Sequence, residues 1–151
     1  MNIRELIGIG NKTGWIIFPI IIIGIIINIL FPSYFFVGGP PSWLLIIATM
    51  VLIIGLVNCI WSQILILINV PKHKLITSGP FSIVKHPLYT GVSLLVVPSF
   101  GFMFNTWLGV VIGITLFIIL RSYAPEEEMK LSNMFGNDWT EHARKVRIPW
   151  L

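Results

Sequence analysis

The apolar stretch WLLIIATMVLIIGLVNCIWSQILILI, residues 43–68, decides the fold of this chain. It holds no charged residue and is longer than the roughly 20 apolar residues that a helix needs to cross a bilayer. Three further apolar runs, at residues 15–31, 88–103 and 107–123, are close to the lower limit of length for a span. Because 56% of the 151 residues are hydrophobic and only 11% are charged, a water-soluble domain could not bury this surface. We expect an all-α integral membrane protein with about four transmembrane helices, as one membrane domain over residues 1–151.

The basic residues predict how the chain is oriented in the membrane. All ten Lys and Arg residues lie before the first apolar run, between the second and third, or at or after the end of the fourth. The connections 32–42 and 104–106 contain none. The positive-inside rule therefore places both termini and the central loop in the cytoplasm. The net charge of +4 then faces anionic membrane lipids, and no basic helix with interleaved aromatic residues indicates a nucleic-acid partner.

The first apolar run has a second possible interpretation. Arg4 and Lys12 precede it, as basic residues precede the apolar core of a signal peptide. The residues that follow, Phe31-Pro32-Ser33-Tyr34, offer no small-residue cleavage site, and further apolar runs come after them. We expect a transmembrane helix here.

The last two apolar runs are predicted to form an antiparallel hairpin, because the connection between them is very short. Pro98 lacks a backbone donor and is expected to kink the first of the two helices. Gly109 and Gly113 form a small-xxx-small pair, which allows close helix packing.

The composition changes after Tyr123, and residues 124–151 hold five of the six acidic residues. We expect a cytoplasmic helical tail that caps a pocket at the mouth of the bundle. Pro125, followed by three glutamates, predicts the start of a helix. Gly136-Asn137 interrupts it, and a second short helix is expected from Asp138, as its N-cap, to Val146.

Two polar segments should face each other at the cytoplasmic ends of the helices: the loop from residue 73 to residue 89, and the acidic tail. The loop contains Gly79-Pro80 and His86-Pro87 turns. Irregular backbone so close to a membrane is tolerated where protein or a water-filled pocket covers it. The sequence therefore predicts a ligand cavity between these segments.

Taken singly, these residues also have structural interpretations. His86 before a proline is typical of helix entry, and Glu126 to Glu128 suit a solvated helix N-terminus. His73 and Lys74 fit orientation charges, and His142 is expected on the surface. The single cysteine, Cys59, excludes an internal disulfide and is expected to be a small buried hydrophobe. No metal-ligand spacing, Ser-His-Asp arrangement, phosphate loop or dinucleotide motif is present.

The order and spacing of three motifs favour a functional site. They are His73-x-Leu75-x-Thr77-Ser78-Gly79-x-Phe81, then Lys85-His86-Pro87-x-Tyr89-x-Gly91, then Glu127-Glu128-x-x-Leu131-x-x-x-Phe135-Gly136-x-x-Trp139. Together they resemble the isoprenylcysteine carboxyl methyltransferase family over about half of the chain. The second and third motifs are also similar to those of phospholipid N-methyltransferases and, more distantly, of membrane sterol reductases.

The resemblance implies a methyltransferase that holds S-adenosylmethionine in a cytoplasm-facing pocket under the tail. A lipophilic or prenylated acceptor would reach it between the helices, with membrane lipids around it and no metal. Arg121 is our candidate for orienting a carboxylate acceptor. Position by position, the resemblance implies cofactor contacts from His73, Lys74, Leu75, Ile76, Phe81, His86, Pro87, Leu88, Tyr89 and Glu127.

Three classes of function remain in view at this point. A lipid-directed methyltransferase leads, and carboxyl O-methylation is favoured over phospholipid N-methylation because residues 73–81 match the carboxyl enzymes better. A nicotinamide-dependent (NADPH) membrane reductase would need a larger bundle than this chain provides. A non-catalytic membrane protein, in which the motifs only maintain the fold, is the third class.

Overall fold

The computed structural model describes the backbone of residues 3–148 and the side chains of residues 15–148. Within these ranges the chain is helical, and extended pairing is confined to two isolated bridges. The first half contains helix α1 (Ile3–Leu30), the single turn α2 (Pro32–Phe35) and helix α3 (Ser42–Asn69), followed by the 3-10 turns Val70–Lys72 and Gly79–Ser82. The all-α fold predicted from the sequence is therefore confirmed.

The second half contains the predicted hairpin. Its first arm is the turn α4 (Pro87–Thr90), a π-helical segment (Gly91–Val96) and helix α5 (Val97–Met103), and its second arm is helix α6 (Leu108–Phe135). Pro98 lies in the first turn of α5, directly after the π-helical segment, so the α-helical pattern is interrupted beside it. Helix α7 (Asn137–Lys145) follows α6 and is the last helix of the described residues.

Two helices of the described part are long and apolar enough to cross a membrane, Ser42–Lys72 and Leu108–Phe135. The apolar helices Trp15–Leu30 and Pro87–Met103 are shorter. Only 17% of the most apolar window of Ser42–Lys72 is buried by the rest of the protein. An uncovered apolar surface of this extent suits contact with lipid rather than with water.

The helices pack in the order α1, α6, the α4–α5 arm, and α3. Glycines make the hairpin close, as Gly109 and Gly113 predicted. A side chain at Gly109 would meet the backbone of Gly101, and one at Gly113 would meet the Ser93 carbonyl and the ring of Pro98. The hairpin therefore depends on backbone contact that only residues without a side chain permit.

Two details of the tail differ from the prediction. Pro125 does not begin a helix but lies inside α6, because one missing backbone donor is tolerated where the carbonyl that it leaves unpaired can be solvated. Asp138 is not the N-cap of α7, because Gly136 takes that place with φ 53° and Asp138 falls in the first turn. The interruption at Gly136-Asn137 is confirmed.

The two ends of the bundle are built differently. At one end, which we call the neutral end, the segments 31–41 and 104–107 pair through backbone groups. Val37 N donates to Asn105 O at 3.2 Å, and Trp107 N donates to Phe35 O at 3.0 Å. The other end brings together the second half of α3, the start of α4 and the part of α6 around Glu127. The side chains of Arg4 and Lys12 lie outside the described part.

Candidate functional site

The loop residues of the site are held by a proline turn. His86 has non-helical backbone angles (φ −121°, ψ 69°) and precedes Pro87, which occupies the first turn of α4. Proline disfavours helical angles for the residue before it and is itself favoured at the first helical position. Pro87 is fully buried and His86 is only 7% exposed. The sequence His-Pro thus fixes the backbone from which the imidazole projects.

The acidic residues of the site come from the last turns of α6. Glu127 and Glu128 face the His86 turn. With the four side chains that they contact, they form a group of six residues, which we call the charged cluster. Its members are Lys85, His86, Tyr89, Arg121, Glu127 and Glu128.

Glu128 lies within ion-pair distance of three basic groups. Lys85 Nζ lies 3.1 Å from both of its carboxylate oxygens. Its Oε1 lies 3.3 Å from His86 Nε2 and 3.6 Å from Arg121 Nη1. Glu128 is therefore the centre of the cluster, although the sequence predicted cofactor contact for its neighbour Glu127 and not for Glu128.

Glu127 contacts the other ring nitrogen of the histidine and the tyrosine. His86 Nδ1 lies 3.2 Å from Glu127 Oε2, and the Tyr89 hydroxyl donates to the same oxygen at 3.0 Å. The rings of His86 and Tyr89 are stacked, with centroids 5.2 Å apart. A histidine with a carboxylate at each nitrogen can donate from both when it is protonated.

The electrostatics of the cluster favour its charged forms. Burial by itself lowers the pKa of His86, but the hydrogen bonds and charges of Glu127 and Glu128 outweigh it, so this pKa lies above its ordinary value. Glu128 lies beyond the apolar stretch of α6. Its hydrogen bond with His86, and then its hydrogen bond and charge interaction with Lys85, lower the pKa of this carboxyl to about 2. Both effects stabilise an ion pair at mildly acidic pH.

The tail returns to the loop that precedes the cluster. Ile148 N donates to Ile83 O at 2.9 Å, and Ile148 forms an isolated bridge with Val84. Trp139 and His142, on one face of α7, are both 7% exposed. The expectation of a surface His142 is thus wrong, because three- and four-residue spacing along α7 puts it on the buried face with Trp139 and Val146. Burial lowers the pKa of His142.

The structure brings together some of the sequence-predicted residues. His86, Pro87, Tyr89 and Glu127 meet in or beside the cluster, and Arg121 joins it through Glu128. The remaining candidates lie on the adjoining backbone. Leu88 and Phe81 are half-buried, His73 and Lys74 are exposed, and Leu75 and Ile76 are half-buried on the loop after α3. The cofactor contacts of all ten candidates stay predictions.

Lys85 and Glu128 make central contacts in the cluster, although the sequence did not predict them as site residues. The available signal was the adjacency of Lys85 to His86 and of Glu128 to Glu127 in two short motifs.

Across residues 15–148, no group of three or more His, Cys, Asp or Glu side chains is placed to hold a metal ion.

Two long apolar helices and a charged site at one end define the class: a helical membrane protein with a polar site at the mouth of its bundle. Residues 42–133 match the family model of the isoprenylcysteine carboxyl methyltransferases. This match covers more than half of the chain, and the protein belongs to that family.

The alignments with individual relatives cover about half of this chain. The probable protein-S-isoprenylcysteine O-methyltransferase of Oryza sativa subsp. indica is 32% identical over 75 residues, which are 50% of this chain and 39% of that protein. The protein-S-isoprenylcysteine O-methyltransferase of Mus musculus is 30% identical over 74 residues, 49% of this chain and 26% of that protein. The protein-S-isoprenylcysteine O-methyltransferase B of Arabidopsis thaliana is 28% identical over 74 residues, which are 49% of this chain and 38% of that protein. The match thus spans well under half of these relatives, and no solved structure matches the chain.

Proposed function

We propose that this protein is a membrane methyltransferase that uses S-adenosylmethionine to methylate a lipophilic acceptor, with the carboxylate of a prenylated cysteine as the favoured acceptor. The observation that carries the proposal is the meeting of two motifs about 40 residues apart, Lys85-His86-Pro87-x-Tyr89 and Glu127-Glu128, in one cluster. The family match and the names of the relatives supply the reaction class.

The proposal includes four membrane passes, with both termini and the site in the cytoplasm, and a tail of residues 124–151. The two shorter apolar helices, Trp15–Leu30 and Pro87–Met103, pack beside the two long ones. Lys72 and Lys74 lie at the cluster end of α3, while the neutral end has no charged residue in 32–42 or 104–106. This asymmetry is the one that the positive-inside rule uses.

The charged and aromatic side chains of the cluster fit the chemical groups of the proposed cofactor. S-adenosylmethionine carries an ammonium, a carboxylate and a sulfonium and supplies an electrophilic methyl group. The Glu127 side chain retains 30% of its exposure, which leaves a carboxylate accessible to an ammonium. Tyr89 offers an aromatic face beside it, a surface that attracts a cation. We propose that S-adenosylmethionine is held by ten residues: His73, Lys74, Leu75, Ile76, Phe81, His86, Pro87, Leu88, Tyr89 and Glu127.

The residues of this chain have mainly a positioning role in the proposed reaction. A carboxylate acceptor is already ionised, so no general base is required. Arg121 pairs with Glu128 through Nη1 at 3.6 Å, and its side chain is 38% exposed. Its other donors can therefore orient an incoming carboxylate. Alignment of reactants and exclusion of water can together contribute roughly 7 to 11 kcal/mol to such a displacement.

Calorimetric titration of the detergent-solubilised protein with S-adenosylmethionine tests the proposal. We expect saturable binding by the wild type and at least about tenfold weaker binding by Glu127→Ala and His86→Ala. Glu141→Ala is the matched control, because Glu141 is exposed on α7 and pairs only locally with Lys145. Binding of NADPH in place of S-adenosylmethionine, or unchanged affinity in both site variants, would contradict the proposal.

The acceptor is tested by transfer of a labelled methyl group. Prenylcysteine and phosphatidylethanolamine are offered separately to the protein in lipid vesicles. We expect label on the prenylcysteine carboxyl, and Arg121→Ala should raise the KM for prenylcysteine more than it weakens cofactor binding. Label on phosphatidylethanolamine alone would replace the proposed acceptor.

A further inference from the structure

The apolar helix α3 carries an amide side chain in its middle, at Asn58. A polar side chain within a membrane-spanning stretch is costly unless protein groups satisfy it, and such residues commonly have a function. Asn58 Nδ2 donates to the carbonyl of Pro87 at 2.7 Å. This bond links α3 to the turn that carries His86 and Tyr89.

Gly91 provides the space for this bond. A Cβ atom at Gly91 would lie 2.5 Å from Asn58 Nδ2 and 2.7 Å from Cys59 Sγ. A side chain at Gly91 would therefore displace the Asn58 amide and the Cys59 thiol from these positions. The backbone amide of Gly91 also donates to the Pro87 carbonyl, which is therefore held from two directions.

The turn itself is short, and its local hydrogen bonds come from the arm to which it belongs. α4 is a single helical turn followed by the π-helical segment, a feature that is frequent at functional sites. The hydroxyls of Thr90 and Ser93 bond the carbonyls of His86 and Tyr89, respectively, from within the same arm. Among the described hydrogen bonds, the one from Asn58 alone reaches this turn's backbone from another helix.

We propose that Asn58 is a positioning residue: by holding the Pro87 carbonyl, it fixes the turn so that His86 and Tyr89 present their side chains to Glu127. This inference rests on the proposed function, since the turn is taken to contact the cofactor. Asn58 acts through the turn and touches no reactant.

Three variants test the role of Asn58. Asn58→Leu keeps the approximate size and removes the donor, and Asn58→Gln keeps an amide donor. Asn69→Leu is the matched control, because Asn69 Nδ2 donates at 2.9 Å to Leu65 O within the same helix. In detergent, we expect Asn58→Leu to bind S-adenosylmethionine about tenfold more weakly, Asn69→Leu to bind within about twofold of wild type, and Asn58→Gln to fall between them.

A second readout does not depend on the cofactor. In protein labelled with ¹⁵N-histidine, the His86 signal, assigned with His86→Gln, reports the pairing of the imidazole with Glu127 and Glu128. We expect it to change in Asn58→Leu and not in Asn69→Leu; if Asn58→Leu does not fold, Asn58→Gln is compared with wild type in the same way.

The two readouts separate failure of this inference from failure of the proposed function. A wild-type protein that binds no S-adenosylmethionine contradicts the proposed function, whereas a changed His86 signal in Asn58→Leu still supports the positioning role. Equal losses of affinity in Asn58→Leu and Asn69→Leu, or an unchanged His86 signal in Asn58→Leu, would overturn the role of Asn58.

Discussion

The two ends of the helical bundle close in different ways. At the neutral end, backbone groups of the segments 31–41 and 104–107 pair with each other, with ring contacts such as Phe35 against Trp107 at 5.2 Å. At the other end, six side chains from two distant segments form the charged cluster. The helices can be joined without charged side chains, because the connections at the neutral end contain none. A partly buried charged network is therefore not required to join the helices at the other end, which agrees with the proposal that this network binds a ligand.

The largest expected effect comes from removing the centre of the charged cluster. Glu128→Gln leaves Lys85, His86 and Arg121 without their shared carboxylate. We expect a loss of about 2 to 3 kcal/mol in stability, because partly buried charges become uncompensated. Unfolding in mixed micelles measures it, with Glu141→Gln as the control, because Glu141 is exposed and its loss should leave the stability close to that of the wild type. Equal losses in the two variants would remove the energetic distinction of the cluster.

The close helix hairpin predicts a smaller effect that should be independent of charge. In Gly109→Ala, the new methyl would lie 2.6 Å from Gly101 Cα and 2.9 Å from Val97 O. Backbone must shift to admit it, which costs about 1 to 3 kcal/mol. The loss should be the same at pH 5 and pH 9. A loss that varied with pH would show that this contact is coupled to the charged cluster.

The pH dependence of stability should come from the charged end. The raised pKa of His86 means that its stabilisation is complete below about 6.5 and is lost as the pH rises through the pKa of the folded state. The lowered pKa of Glu128 means that its contribution is present above about 4.5 and is lost as the pH falls toward about 2. Both contributions are complete between about pH 4.5 and 6.5.

Thermal unfolding in detergent between pH 5 and pH 9 measures this dependence. The stability difference between wild type and His86→Gln should be largest near pH 5 to 6 and should shrink at alkaline pH. His142→Gln is the comparison on the tail. A difference for His86→Gln that stays flat across this range would contradict the ion pairing described for the cluster.

The smallest expected effect lies at the neutral end. Trp107 Nε1 donates to Tyr34 O at 3.2 Å, and Trp107→Phe removes this bond while it keeps most of the ring. We expect a loss of about 0.5 to 1.5 kcal/mol in stability. An accompanying loss of methyl transfer would show that the neutral end also supports the reaction.

The sequence predicted the helices well because long apolar runs have a direct physical cause. The orientation inferred from the charge asymmetry stays a prediction. The close hairpin also followed from Gly109 and Gly113. The continuation of α6 through Pro125 did not, because a proline that suits a helix start is also tolerated inside a helix once the backbone can reach water.

The site was predictable in part. Ordered motifs indicated that His86, Tyr89 and Glu127 belong together, but composition gave no sign that Glu128 is the centre, since two adjacent glutamates differ only in where the helix points them. The Asn58 bond depends on the packing of α3 against Gly91, a long-range contact that neither residue shows alone. The burial of His142 likewise depends on how α7 docks.

Titration of three proteins with S-adenosylmethionine, side by side in one detergent, tests the central claim most directly: wild type, Glu127→Gln at the charged end, and Trp107→Phe at the neutral end. We predict at least about tenfold weaker binding by Glu127→Gln and binding within about twofold of wild type by Trp107→Phe. Equal affinities for all three proteins, or a loss confined to Trp107→Phe, would contradict the assignment of the site to the charged cluster.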